Sequence, residues 1–212
     1  MPGEATRGAQ IALQAQRIVD DTRHTRYKYP PYVIDDATGT YEVDCCGFVS
    51  LLVLKRIAPE HYTMIQAAPD WPVPQAYKYY EFFDGLSKQG SIGWRRIHRL
   101  TDSQRGDIIA WRLLNSDSAG DTGHVFIVSA DPEALETGVI TVAAYDSSNV
   151  LHYDDSRLAP EGQPKTGLGK GSIHFQVDPT TGCPIAFQFG PCDPFRSAPI
   201  AIGRLEPIAP VG

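Results

Sequence analysis

The sequence predicts an α+β fold in which helices come first and a mostly antiparallel sheet follows. Two observations carry this. Apolar residues recur at helical spacing in the first half, whereas beyond Arg105-Gly106 they fall into short β-branched or aromatic segments separated by Gly, Asp, Asn and Pro. A third observation places the core: the stretch 45–56 is apolar on nearly every side, which predicts a buried helix for the sheet to pack against.

Each element has its own signal. Over 4–24, Ile11, Ala15, Ile18 and Val19 stand at i, i+4, i+7 and i+8, the stripe of an amphipathic helix. Pro30-Pro31 forces extended chain and Asp35-Asp36-Ala37-Thr38-Gly39 is turn chemistry, so the tyrosine-rich segment up to Val43 reads as a loop. Pro59 marks the end of the buried helix, and 58–74, with four prolines, reads as a second loop. Over 75–89, Tyr79, Phe82, Phe83 and Leu86 return to helical spacing, which places this aromatic run in the core, with the wall of a substrate groove as the alternative. Trp71 and Trp94 flank it. Strands are expected over 107–113, 124–129, 139–145, 172–177, 184–189 and 200–205. Gly167-Leu168-Gly169-Lys170-Gly171 looks like a phosphate-cradling loop, but a strand follows it rather than a helix, so it is expected to be a turn.

Composition narrows the function. The 212 residues, 42% hydrophobic and 21% charged, suit one folded domain, 1–212. Nineteen Lys and Arg against twenty-five Asp and Glu give a net charge of −6, and no basic run exceeds Arg95-Arg96, which argues against nucleic acid as a partner. The longest apolar stretch, Phe48 to Leu54, is interrupted by Ser50 and falls far short of the roughly 20 residues that span a bilayer, so no integral membrane segment is expected. Met1-Pro2-Gly3-Glu4 begins no basic and then apolar leader; the chain as it stands is expected in the cytoplasm, or exported if a leader was removed. Cys45-Cys46 and Cys183…Cys192 match neither a dense disulfide framework nor a zinc pattern, so no metal or cofactor is expected, and a Cys183–Cys192 bridge and the oligomeric state stay open.

The chemistry starts at Asp44-Cys45-Cys46-Gly47-Phe48-Val49. Cys45 stands at the mouth of the buried helix, where unpaired N–H groups favour thiolate over thiol. A reactive thiol needs a base, and His124, after Gly123 and before the apolar run Val125-Phe126-Ile127-Val128, is placed at a strand's start. Asp146 ends a later apolar run and is the carboxylate suited to orient that imidazole, with His152 its competitor. Cys46 points about 100° away around the helix and is expected to pack rather than react.

These motifs resemble those of the NlpC-like papain-fold cysteine peptidases. Asp44-Cys45-Cys46-Gly47-Phe48-Val49 is similar to their Asp-Cys-Ser-Gly-Phe-Val, with Cys46 in place of serine. Arg105-Gly106-Asp107-Ile108-Ile109 resembles their Gly-Asp-Leu-Ile strand, Gly123-His124-Val125 their Gly-His-Val, and Asp146 stands at the third polar position. The resemblance implies a papain-like fold over a motif-bearing core of about 27–151, with an inserted region of about 60–100. It implies a catalytic triad of Cys45, His124 and Asp146, without metal, that hydrolyses amide bonds in small peptides such as peptidoglycan-derived muropeptides. Tyr32, or failing it Tyr27, is implied to line the substrate site beside Asp44. A thiol acyltransferase on the same scaffold and an inactive binding module are the alternatives.

Overall fold

The computed structural model describes residues 5–66, 73–87, 93–113, 121–136, 138–158 and 165–208; Trp71 and the ends of the two expected amphipathic helices, at residue 4 and at residues 88–89, lie outside them. The first helix, Arg7–Asp21, is capped by the Thr6 hydroxyl, which accepts the Ala9 N–H at 3.2 Å, and it buries Ile11, Ala15 and Ile18. The tyrosine-rich segment is not all loop. Three-residue strands β1 (His24–Arg26), β2 (Val33–Asp35) and β3 (Thr40–Glu42) form a small sheet in the order β1-β3-β2. Strands this short and this exposed leave no alternation to read.

The cysteine helix starts as an α-helix over Cys45–Gly47, widens to π geometry over Phe48–Leu54 and returns to α over Lys55–Ile57. Its all-round apolar surface is buried as expected, Leu51 only partly. The stretch 58–74 is corrected in part, because Pro59–Ile65 is a helix. The proline that ends one helix opens the next: at the first helical position its missing N–H costs nothing and its φ is already helical. The aromatic helix, Ala76–Asp84, buries Tyr79 and Phe83 in the core.

The main sheet comprises β4 (Trp94–Ile97), β5 (Ile108–Arg112), β6 (Gly123–Val128), β7 (Glu133–Glu136), β8 (Val139–Ser148), β9 (Gly167–Val177), β10 (Pro184–Gln188), β11 (Arg196–Ser197) and β12 (Ile200–Leu205). The order is β11-β10-β9-β8-β6-β5-β12-β4, with β7 also on β8, and neighbouring strands are antiparallel. The protein is therefore mixed α+β with a large antiparallel sheet. All six expected strands are present, with β4, β7 and β11 added. One reading is overturned: Gly167 to Gly171 lie inside β9 and not in a turn.

The sheet separates two cores. On the helix side Ile108, Ala110, Val125 and Ile127 pack with the three main helices. On the other side Ile109, Trp111, Phe126, Phe175 and Phe187 pack together, with the Trp111 and Phe187 rings stacked at 4.1 Å. Burying each such side chain contributes roughly 1.5–3 kcal/mol. Among the described residues no helix is long and apolar enough to cross a membrane.

Candidate active site

Asp44 opens the cysteine helix. Its Oδ1 accepts the Gly47 N–H at 2.7 Å and the Tyr32 hydroxyl at 2.9 Å, so the cap also anchors a tyrosine from the preceding segment. Gly47 makes this possible, since a Cβ there would stand 2.9 Å from the Tyr32 ring. Burial, with the charge of Cys45, pushes the Asp44 carboxyl up to about 7.

The sheet opens where Cys45 arrives. Among the described residues β6 and β8 pair at Ile127↔Tyr145 and Val128↔Ala144, and beyond these the two strands part. The chain leading into the cysteine helix fills the gap: the Ser147 hydroxyl donates to the Val43 carbonyl at 2.6 Å, and the Val125 N–H, released from strand pairing with β8, donates to the Cys45 sulfur. The thiol is thus buried but wired to the sheet.

His124 is placed by the glycine before it. Gly123 has φ +132°, and a Cβ there would collide with the Trp111 carbonyl, so only glycine lets β6 begin this close to β5. His124 Nε2 donates to Asp146 Oδ2 at 2.7 Å; an ionised carboxylate only accepts, so that nitrogen carries the proton and Nδ1 is left to Cys45. The hydrogen bond from Cys46, 3.8 Å away sulfur to sulfur, holds the Cys45 thiol well below its ordinary range, helped by the charge of His124 and opposed by burial. Cys46 pays the reciprocal cost, its own thiol being pushed up by Cys45 and by burial. Burial disfavours the His124 imidazolium, yet the Cys45 thiolate and Asp146 hold its pKa up to about 10. Both directions favour thiolate and imidazolium over the neutral pair.

Asp146 is fully buried, which alone would raise its carboxyl, but Arg157, His152 and His124 keep it well below the usual carboxylate range. His152 Nε2 donates to the same Oδ2 at 2.7 Å, so the competitor for the third position stands behind Asp146 and not in its place. Arg157 Nη1 lies 3.1 Å from Oδ1. Asp155 grips the Arg157 guanidinium at 2.8 and 2.9 Å and accepts the His152 backbone N–H at 2.7 Å, which folds the loop after β8 into a clasp around the carboxylate. The His152 ring stacks on Phe189 at 5.1 Å.

Arg157 is the residue that sequence reasoning passes over, and its signal is in β9. Gly169 pairs with Asp146, and a Cβ on it would stand 2.8 Å from Arg157 Nε; one on Gly171 would stand 2.7 Å from the His152 Cβ. Glycines at every second position of a strand clear one face, here for the two side chains that reach Asp146.

Beside Cys45 is a cavity of about 420 Å³ walled by Tyr27, Tyr32, Leu51 and Val73, with Asp44 and Cys46 on its border. Both candidate tyrosines therefore reach it, whereas Tyr79 and Phe83 of the aromatic run belong to the core. His124, Asp146 and His152 offer ligand atoms within 4.8 Å of one another, close enough to hold a metal ion. An ion there would displace both N–H donors from Oδ2 and face the Arg157 guanidinium, so the residues fit a hydrogen-bonded relay better than a metal. Cys183 and Cys192, like Cys45 and Cys46, are free thiols.

No family model matches the chain, and no solved structure matches it. It is 25% identical over 183 residues to the uncharacterized protein R653 of Acanthamoeba polyphaga mimivirus, an alignment covering 77% of each protein.

Proposed function

We propose that the protein is a cysteine hydrolase of papain-like architecture that cleaves an amide bond in a small peptide, through an acyl-enzyme on Cys45. Peptidoglycan-derived muropeptides are the substrate class that its resemblance to the NlpC-like peptidases implies. The observation that carries the reading is the chain of contacts from the Cys45 sulfur through His124 to Asp146, with the cysteine at a helix start beside a cavity.

In this mechanism the Cys45 thiolate attacks the carbonyl carbon, and the oxyanion meets the Cys45 backbone N–H at the helix mouth, a contact of a type worth about 3 kcal/mol. The His124 imidazolium gives its Nδ1 proton to the nitrogen, the C–N bond breaks and the amine leaves a thioester. Water then attacks the thioester while His124 takes its proton, and the acid departs with the thiolate restored. Asp146 is a positioning residue that keeps the His124 proton on Nε2 and the ring turned to sulfur. The aromatic walls of the cavity favour one second reading, transfer of an apolar acyl group to an acceptor other than water.

The test is site-resolved alkylation by iodoacetamide from pH 5 to 9, with His124→Ala in parallel. Cys45 is expected to react below pH 7 and to lose that reactivity in the variant. A Cys45 that is inert, or that titrates near the ordinary thiol value of about 8.5 in both proteins, overturns the reading and leaves a binding module. Product analysis with and without added amines separates hydrolysis from transfer.

A further inference from the structure

The charges around the cavity are one-sided. Its lining is mostly aromatic and apolar, with Tyr27, Tyr29, Tyr32, Leu51 and Val73, and Gln75 and Thr122 are its uncharged polar groups; apart from tyrosines and cysteines its ionisable groups are Asp44 and Asp121, and no Lys or Arg is among the described residues that line it. Lys28, between two wall tyrosines, is held by Glu42 at 3.1 Å. Among the described residues beside Cys45, His124 is the group favoured to carry positive charge, and it lies against the Cys45 thiol and Asp146.

A carboxylate moving into this space would exchange water for aromatic rings and meet two carboxylates with no counter-charge. An uncharged ring or branched chain would lose only its apolar hydration. We infer that the part of the substrate seated beside Cys45 is an uncharged apolar group, aromatic or aliphatic, and that carboxylates are shut out of the cavity. This rests on Cys45 being the reacting thiol, and it requires a peptide substrate that bears a carboxylate to hold that group outside.

Two near-isosteric electrophiles test it. N-butylchloroacetamide and N-(3-carboxypropyl)chloroacetamide are compared for alkylation of Cys45, each rate divided by that with 2-mercaptoethanol. The butyl probe is expected to win by about tenfold or more, the equivalent of some 1.4 kcal/mol. Asp121→Lys replaces a lining carboxylate with a cation and is expected to raise the ratio of the carboxypropyl rate to the butyl rate severalfold. Equal rates, or a faster acid, overturn the inference. A binding arm keeps the two proposals apart: in Cys45→Ser protein, saturation-transfer NMR is expected to show N-butylacetamide bound and N-acetyl-4-aminobutyrate not. If Cys45 is inert to both electrophiles the hydrolase reading falls, while the NMR arm still decides the cavity, and binding of the acid as well as the amide overturns the inference.

Discussion

Along one edge, β8 pairs with β9 without a break from Val139↔Gln176 to Ser148↔Gly167; along the other, it pairs with β6 at Ile127↔Tyr145 and Val128↔Ala144 and then gives way to the chain that leads into the cysteine helix. The closed edge holds the backbone of Asp146 in register opposite Gly169. The open edge releases the Val125 N–H to the Cys45 sulfur and the Ser147 hydroxyl to the Val43 carbonyl. Opening a buried ladder leaves polar groups that must find partners, and here the partners are the parts of the site. One strand thus supplies both rigidity and the break in the sheet where a thiol can be polarised.

The comparison can be broken most severely at the open edge. Cys45→Ala is expected to lower hydrolysis by about 10³-fold or more, as loss of a nucleophile does, while circular dichroism and thermal unfolding stay close to the parent. Asp146→Asn strikes both edges at once. It removes the negative charge that favours the His124 imidazolium and leaves Arg157 with Asp155 as its carboxylate partner, so we expect kcat to fall about 10²–10⁴-fold and urea unfolding to show a loss of about 3–5 kcal/mol.

A pH profile sharpens it. Falling pH protonates the Cys45 thiolate and rising pH removes the proton of His124, so kcat/KM should be bell-shaped, with an acid limb well below the ordinary thiol value and an alkaline limb near 10. A plateau that continues unchanged above pH 11 would contradict the imidazolium. On the closed edge Gly169→Ala drives a methyl group into Arg157; it should cost about 1–3 kcal/mol by urea unfolding and move the alkaline limb, which a purely structural lesion would leave in place. The smallest effect is at Asp44. Asp44→Asn keeps an acceptor for Gly47 and Tyr32, so below about pH 3.5, where the carboxyl is largely protonated folded or unfolded, stability should stay within about 0.5 kcal/mol. The raised carboxyl works against folding as pH climbs from its unfolded value toward about 7, so above pH 7 the variant should be the more stable protein in urea.

The parts of this arrangement that the sequence announces are those with a long period or a fixed motif. Ile11, Ala15 and Ile18 repeat across several turns, and Cys45, His124 and Asp146 each sit beside a local signature: a cap, a glycine before a strand, and a polar end to an apolar run. The small sheet escapes because three residues hold no period, and the Pro59–Ile65 helix because proline signals a stop and a start alike. The clasp around Asp146 is hardest to see. Arg157 carries no pattern of its own, and its evidence is a lack of side chains in β9, which reads as turn chemistry until a ladder is seen to run through it. Cys46 is buried as packing predicts, but its closeness to the nucleophile depends on side-chain directions that helical spacing alone does not convey.

Asp146, His152, Asp155, Arg157 and the two glycines that clear their path all belong to β8, β9 and the connection between them, while Cys45 and His124 come from other parts of the chain. The groups that steady the imidazole's partner are therefore neighbours in sequence, whereas the sulfur and the imidazole meet only through the fold.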